Sequence, residues 1–103
     1  MKKILLVCCA GMSTSLLVSK MQAAAEIKSI ECRIQAIGEA DVKDYIDDTD
    51  ILLLGPQVRF LLSKFKKSLE GKDIPVEVIN TVDYGTMNGV KVLERALELI
   101  ENK

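Results

Sequence analysis

Four short apolar runs, each followed by a turn and then by helical periodicity, constrain the fold of this chain most strongly. The runs at residues 3–8 and 50–54 are almost continuously apolar, as is typical of strands buried on both faces. Residues 31–37 alternate apolar and polar side chains, which predicts an edge strand. Residues 75–79 form the fourth and shortest run. The pattern therefore predicts four strands that alternate with four helices.

The helical stretches between these runs have recognisable starts and faces. Ser13 is a natural N-cap for a first helix, and a short acidic helix is expected at residues 41–46. Residues 80–88 are expected to form a loop. The predicted buried faces consist of Leu16, Leu17, Met21, Ala24 and Ala25 in the first helix, of Val58, Leu61, Leu62, Phe65 and Leu69 in the third, and of Val90, Leu93, Leu97 and Ile100 in the last.

Alternating strands and helices favour a parallel sheet with right-handed crossovers, because parallel neighbours need a long connection. We expect an α/β fold of three layers, α/β/α, in which a four-stranded parallel sheet has the strand order 2-1-3-4. The topology then reverses between strands one and three, where ligands bind beyond the carboxyl ends of the strands. Cys8 and the Gly55-Pro56 turn are predicted to meet at that point.

Composition removes several classes of function. The chain of 103 residues is expected to form one domain, 1–103, and its 14 basic and 15 acidic residues favour neither nucleic acid nor an anionic membrane. The sequence contains no His, which excludes Ser-His-Asp and Cys-His catalysis. We expect no metal site and no cofactor. Three Cys without paired spacing fit a reducing cytoplasm, and no apolar run approaches transmembrane length.

The segment from residue 8 to residue 15 combines a thiol, a glycine and three hydroxyls between a buried strand and a helix. A loop that enters a helix N-terminus directs backbone N–H groups at one point, where it can hold a phosphate. The same field stabilises the thiolate form of a cysteine, so Cys8 is the candidate nucleophile. The proposed phosphate-binding loop consists of Cys9, Ala10, Gly11, Met12, Ser13, Thr14 and Ser15.

The other thiols and the apolar loop residues have simpler interpretations. Cys9 is expected to point away from the side that Cys8 faces and to serve as packing or loop filler. Cys32 belongs to an alternating strand and is expected in the core. Ala10 and Met12 fit two roles equally well, as adaptable spacers or as contacts for a docking partner.

Residues 8–21, Cys-Cys-Ala-Gly-Met-Ser-Thr-Ser-Leu-Leu-Val-Ser-Lys-Met, resemble the signature of the enzyme IIB component of lactose/cellobiose/chitobiose-type phosphotransferase systems. The resemblance extends over essentially the whole chain, including Leu53-Leu54-Gly55-Pro56-Gln57 after the third strand and Tyr84-Gly85 near the last helix. It implies a cytoplasmic phosphotransferase and phosphocarrier. Cys8 would accept a phosphoryl group from a phosphohistidine of enzyme IIA.

The resemblance also implies the acceptor. The phosphocysteine would serve a sugar bound by the membrane component IIC, and a phosphorylated disaccharide would be released inside the cell. The sequence does not choose among cellobiose, chitobiose and lactose. The absence of His from this chain agrees with a donor histidine on another protein.

The fold also resembles low-molecular-weight tyrosine phosphatases, which place a nucleophilic Cys in the same loop. Those enzymes follow Cys-x5-Arg-Ser/Thr, whereas Thr14 stands six residues after Cys8. Without the Arg that clamps the phosphoryl oxygens, transfer is favoured over hydrolysis. Four further residues could be accessory to the site, with turn or surface roles as the alternative: Gln57, Arg59, Asp83 and Tyr84.

Overall fold

A computed structural model of the chain describes residues 1–8 and 11–102, with the side chains of 11–13 left out. Three-residue 3₁₀ turns, Glu39–Asp41 and Ile46–Asp48, flank the second helix, and a longer one, Pro56–Leu61, precedes the third. The strands are β1 (Lys2–Val7), β2 (Cys32–Ile37), β3 (Ile51–Leu54) and β4 (Val76–Val78), and the helices are α1 (Gly11–Ile27), α2 (Val42–Tyr45), α3 (Leu62–Ser68), α4 (Thr81–Gly85) and α5 (Gly89–Glu101).

The four strands form one parallel sheet in the order β2-β1-β3-β4. Strand β1 pairs in register with β2 from Lys2 opposite Cys32 and with β3 from Ile4 opposite Ile51. Strand β4 pairs with β3 alone and so forms the edge opposite β2. The predicted α/β architecture and strand order are confirmed.

The sheet separates two hydrophobic cores, because successive side chains of a strand point to opposite faces. Ile4 and Leu6 of β1 pack with the buried faces of α1 and α5. Leu5 and Val7 pack on the other face with side chains from α2, α3 and the turn before α3. Helices therefore cover both faces of the sheet, as the continuous apolar runs of β1 and β3 predicted.

Helix α1 starts earlier than predicted, and one of its leucines faces solvent. The helix begins at Gly11, so the prediction that Ser13 is the N-cap is wrong, because an N-cap lies just outside the first turn. Leu16 is 50% exposed, which contradicts its assignment to the buried face. The buried stripe consists of Thr14, Leu17, Met21, Ala24 and Ala25. Thr14 is therefore a polar residue at the N-terminal end of an otherwise apolar buried stripe.

The segment expected to be a loop, residues 80–88, contains α4. Asn80 caps this helix, since its Oδ1 accepts hydrogen bonds from the backbone N–H of Val82 at 2.9 Å and of Asp83 at 3.1 Å. The cap satisfies N–H groups that would otherwise lack a partner at the start of the helix. The structure thus corrects the prediction from four helices to five α-helical segments in the described part of the chain.

Two further predictions of buried faces need correction. In α5 the buried side chains include Val92 and Ala96 beside Leu93, whereas Val90 is 45% exposed. The helical pattern predicted from Val58 begins as a 3₁₀ turn, and Val58 itself has non-helical angles (φ −115°, ψ 25°).

None of the helices within residues 11–102 is long and apolar enough to cross a membrane.

Candidate functional site

The carboxyl edge of the sheet brings Cys8 and Gly55 together. The backbone N–H of Gly55 donates to the carbonyl of Val7 at 2.9 Å, and the Cys8 N–H donates to the carbonyl of Ile37 at 3.3 Å. A Cβ atom placed on Gly55 would lie 3.5 Å from the Cβ of Cys8. The prediction that Cys8 and the turn after β3 meet at the topological switch point is confirmed.

The Thr14 hydroxyl is a direct partner of the Cys8 sulfur. Thr14 Oγ1 donates to Cys8 Sγ across 2.6 Å, and the two residues are 1% and 7% exposed. Thr14 lies in the first turn of α1, so the contact places the sulfur beside the N-terminal end of that helix. Backbone N–H groups and the helix dipole favour negative charge at such a position.

Tyr84 adds a second hydroxyl behind Thr14. Its Oη lies 3.3 Å from Thr14 Oγ1, and its side chain is 7% exposed. The two residues are 70 positions apart in the chain, and they meet because α1 and α4 both follow strands that end at the same edge of the sheet. Sequence reasoning named both residues separately but missed their contact, which no local pattern signals.

The remaining accessory candidates occupy different places. The Oε1 atom of Gln57 would lie 2.8 Å from a Cβ atom on Gly55, so Gln57 folds back toward the Cys8 region. Arg59 is exposed on the turn before α3. Asp83 lines a cleft beside β4. The structure therefore joins Tyr84 to Cys8 through Thr14 and folds Gln57 back over Gly55, whereas Arg59 lies on an exposed turn and Asp83 lies beside the cleft.

Part of the proposed phosphate-binding loop lies outside the described residues. Cys9 and Ala10 are outside entirely, and Gly11, Met12 and Ser13 are described only as backbone of the first turn of α1. Ser15 has an exposed side chain, and Thr14 is buried. Thr14 is thus a loop residue whose side chain the structure joins to Cys8.

A cleft of about 560 Å³ opens beside the edge strand β4. Lys66 of α3, Glu77 of β4 and Arg95 of α5 are among the residues that line it. Glu77 binds Arg95 through two hydrogen bonds of 2.8 Å, and Glu98 is a second partner of the guanidinium. The hydrogen bonds that Arg95 donates to Glu77, followed by the charge of Glu77, raise the pKa of Arg95 above its ordinary value. Glu77 and Arg95 therefore pair with each other in the cleft, which the charged residues Lys66 and Asp83 also line.

Cys32 is remote from this site. It pairs with Lys2 at the amino end of the sheet, whereas Cys8 follows the carboxyl end of β1. Burial raises the pKa of the Cys32 thiol, and the charges of Lys2 and the N-terminus oppose that effect. The side chain is 8% exposed, which confirms the prediction that Cys32 belongs to the core.

Comparison with known proteins gives a consistent family. Residues 3–95 match the family described as "PTS system, Lactose/Cellobiose specific IIB subunit". The chain is 45% identical over 103 residues to the oligo-beta-mannoside-specific EIIB component of Bacillus subtilis, and covers 100% of both chains. It is 46% identical over 104 residues to the cellobiose-specific EIIB component of Lactococcus lactis subsp. lactis, with 96% of each chain covered.

Solved structures show the same architecture. The solution structure of a cellobiose-specific phosphotransferase IIB component from Borrelia burgdorferi matches with a TM-score of 0.84 and 47% identity, and the match covers 99% of this chain and 94% of that one. A lactose-specific IIB domain from Streptococcus pneumoniae has the same TM-score, 0.84, at 20% identity, and covers 94% of this chain and 95% of that one. The second likeness shows the fold alone.

Proposed function

Because this chain belongs to the lactose/cellobiose-specific IIB family of the sugar phosphotransferase system, and is a phosphotransferase component of that system, we propose that Cys8 is the residue that carries its phosphoryl group. Membership of the family supports the role of a phosphocarrier in sugar uptake. The choice of the residue rests on this chain's own geometry.

One observation carries the choice of Cys8. Its sulfur lies at the carboxyl edge of the sheet, beside the first turn of α1, and accepts a hydrogen bond of 2.6 Å from the Thr14 hydroxyl. A donor aimed at sulfur stabilises a thiolate more than a neutral thiol, since hydrogen bonds to charged acceptors are the stronger ones. Cys32, by contrast, is held neutral in the core at the other end of the sheet. Cys8 therefore has the environment of a nucleophile.

The proposed reaction has two transfers. In the first, the Cys8 thiolate attacks phosphorus, the S–P bond forms, and the N–P bond of a phosphohistidine breaks with its electron pair left on the imidazole. In the second, a sugar hydroxyl oxygen attacks phosphorus, its proton is released to solvent, and the electron pair of the S–P bond returns to Cys8. The field at the start of α1 favours the charge of the thiolate and of the bound phosphoryl group.

The partners of the proposed reaction are enzyme IIA as donor and the membrane component IIC, with its bound sugar, as acceptor. Three exposed apolar side chains follow the strands that end near Cys8: Leu16 in α1, Phe60 after β3 and Val82 in α4, which are 50%, 74% and 69% exposed. Exposed apolar groups that surround a reactive residue are typical of a surface that docks a protein. We call these three residues the apolar rim and assign it to both partners.

The acceptor is proposed to be a disaccharide such as cellobiose or chitobiose. Relatives at similar identity are named for oligo-beta-mannosides, cellobiose and galactose, so membership of the family does not identify the sugar. We assign the selection of the sugar to the membrane component IIC. We place the carrier in the cytoplasm, as one domain over residues 1–103, where a phosphohistidine donor can reach Cys8.

The loading step tests the proposal directly. Purified chain is mixed with phosphoenolpyruvate, the general phosphotransferase proteins and a cognate IIA, and the site of phosphorylation is mapped by mass spectrometry. We expect one phosphoryl group on Cys8, abolished by Cys8→Ser and retained by the matched control Cys32→Ser. Phosphate on any other residue, or none with an active donor, would overturn the assignment.

A further inference from the structure

Three buried side chains form a chain of hydrogen-bonding groups that ends at the Cys8 sulfur. Tyr84 Oη lies 3.3 Å from Thr14 Oγ1, which lies 2.6 Å from Cys8 Sγ. Tyr84, Thr14 and Cys8 are 7%, 1% and 7% exposed. Tyr84 and Cys8 come from different ends of the chain, and Thr14 joins them.

The direction of these hydrogen bonds follows from counting protons. A threonine hydroxyl has one hydrogen to donate and two lone pairs to accept with. Thr14 gives its hydrogen to Cys8 Sγ. Between Thr14 and Tyr84, where geometry alone permits either donor, the tyrosine must therefore donate. The order is Tyr84 to Thr14 to Cys8, with every hydrogen directed toward sulfur.

We infer that Tyr84 is a positioning residue for Cys8, acting through Thr14; the inference rests on the proposed phosphocarrier function. Donation from Tyr84 holds the Thr14 oxygen with its one hydrogen aimed at sulfur. It also polarises the Thr14 hydroxyl, since hydrogen bonds in a buried chain strengthen one another. Loss of the Tyr84 hydroxyl would weaken the second bond without removing it.

The strength of the hydrogen bond from Thr14 to Cys8 depends on the charge of the sulfur. As the attacking group in loading and as the leaving group in transfer, the sulfur bears the charge of a thiolate and accepts strongly. While the S–P bond exists, the sulfur bears less charge and is a weaker acceptor. We call the hydrogen bonds from Tyr84 to Thr14 and from Thr14 to Cys8 the relay. The relay therefore stabilises the unloaded thiolate relative to the phosphocysteine, which favours departure of the phosphoryl group to the acceptor. Tyr84 thereby contributes to handover from Cys8.

The backbone around Tyr84 holds its hydroxyl in place. The Asn80 cap fixes the first turn of α4, and the backbone N–H of Met87 donates to the Tyr84 carbonyl at 3.1 Å. The backbone N–H of Ile79 donates to the Leu54 carbonyl at 2.8 Å, which fixes the chain just before α4 to strand β3. The tyrosine is thus held against the same sheet that carries Cys8.

Alkylation of Cys8 tests the relay without any phosphoryl donor. The rate of modification by iodoacetamide, followed at Cys8 by peptide mapping, is measured against pH for wild type and Tyr84→Phe. We expect the pH of half-maximal rate to rise in the variant and the rate at neutral pH to fall roughly threefold to tenfold, as expected for one net hydrogen bond. Tyr45→Phe is the matched control, since Tyr45 is the chain's other tyrosine and lies on α2. It should leave the profile unchanged.

A double-mutant cycle separates the relay from a merely structural role of Tyr84. In a Thr14→Val background, Tyr84→Phe should cause no further change in the profile, because the intermediary is gone. Thr14→Ser keeps the hydroxyl and should restore the dependence on Tyr84. An unchanged profile in Tyr84→Phe, or an equal shift in the Thr14→Val background, would overturn the inference. The proposed function fails separately, by absence of phosphate on Cys8 in the loading experiment.

Discussion

Thr14 Oγ1 lies 2.6 Å from Cys8 Sγ, with both side chains buried, and Thr14 is the sixth residue after Cys8, where the Cys-x5-Arg pattern of tyrosine phosphatases would place an arginine. A phosphatase arginine binds the oxygens of the transferring group, whereas Thr14 binds the sulfur itself. Thr14 thus stabilises the sulfur, and in the proposed reaction the phosphoryl oxygens would be stabilised by backbone groups and by a docked partner. Slow attack by water on the proposed phosphocysteine would follow from the missing arginine clamp, whereas the hydrogen bond to sulfur favours transfer once an acceptor is docked.

The first prediction is that the chain lacks a phosphatase activity that depends on Cys8. An arginine that meets transition-state charge is worth roughly 10³ to 10⁵ in other phosphoryl transfers, and Thr14 supplies no such charge. Release of phosphate from an aryl phosphate should therefore be the same for wild type and Cys8→Ser. Turnover that Cys8→Ser removes would instead identify a hydrolase.

The second prediction concerns the apolar rim. Replacing Phe60, which is 74% exposed, with Ala should slow loading by IIA while leaving the fold intact, because the side chain packs little within the chain. A residue central to a protein interface costs more than about 1 kcal/mol when truncated, which is roughly a fivefold loss of apparent affinity. The apparent affinity for phosphorylated IIA, from initial rates of loading, is the measurement.

Ile27→Ala is the matched control for the rim. Ile27 is 84% exposed, but it ends α1 at the opposite edge of the sheet. Its loss should leave loading unchanged. Equal effects of Phe60→Ala and Ile27→Ala would contradict the assignment of the rim to partner docking.

The third prediction uses the pKa of Cys32, which burial raises. The folded state then keeps the Cys32 proton at a pH where the unfolded chain has lost it. Stability from this residue is fully present at neutral pH and declines as the pH rises past the ordinary thiol value of about 8.5. The free energy of unfolding in urea should fall less between about pH 7 and about pH 10 in Cys32→Ala than in wild type. An equal fall in the free energy of unfolding in Cys32→Ala and in wild type would contradict the raised pKa of Cys32.

The fourth prediction concerns the contact between α1 and α5. A Cβ atom on Gly89 would lie 2.5 Å from the carbonyl carbon of Lys20 and 2.7 Å from the backbone nitrogen of Met21. Gly89→Ala must push the two helices apart, and overpacking of this kind costs typically ~1–3 kcal/mol. Thermal or urea unfolding measures the loss.

Gly38→Ala is the control for Gly89. A Cβ atom on Gly38 meets no atom within 4 Å, and its backbone angles, φ −81° and ψ 163°, suit alanine. This substitution should be neutral or stabilise by up to ~1 kcal/mol, because it restricts the unfolded chain. A comparable loss at both glycines would show that the close approach of α5 to Lys20 is not what matters.

The sequence predicted the sheet because its signals are local and repeated. The continuous apolar runs of β1 and β3 reflect burial on both faces, and the alternation around Cys32 reflects an edge. Strand order then placed Cys8 beside Gly55 without any knowledge of side-chain contacts. The position of the site could be predicted for that reason.

The errors arose where tertiary packing decides between local alternatives. Helix α4 has only five residues, too few for periodicity to show, and Asn80 fits a turn as well as an N-cap. Leu16 and Val90 have helical spacing but face solvent, because the rotation of a helix about its axis is set by what it packs on. The contact between Thr14 and Tyr84 depends on such packing at two helices. Spacing alone does not reveal it.

The central claim is that Cys8 holds a phosphoryl group and hands it to a sugar without releasing it to water. Its most direct test is a chase of isolated, radiolabelled phosphoprotein with vesicles that contain the cognate IIC and cellobiose, chitobiose or lactose. We predict that label leaves Cys8 only when a cognate sugar is present and appears in the sugar phosphate. Label that appears as inorganic phosphate at the same rate with and without sugar would contradict the claim.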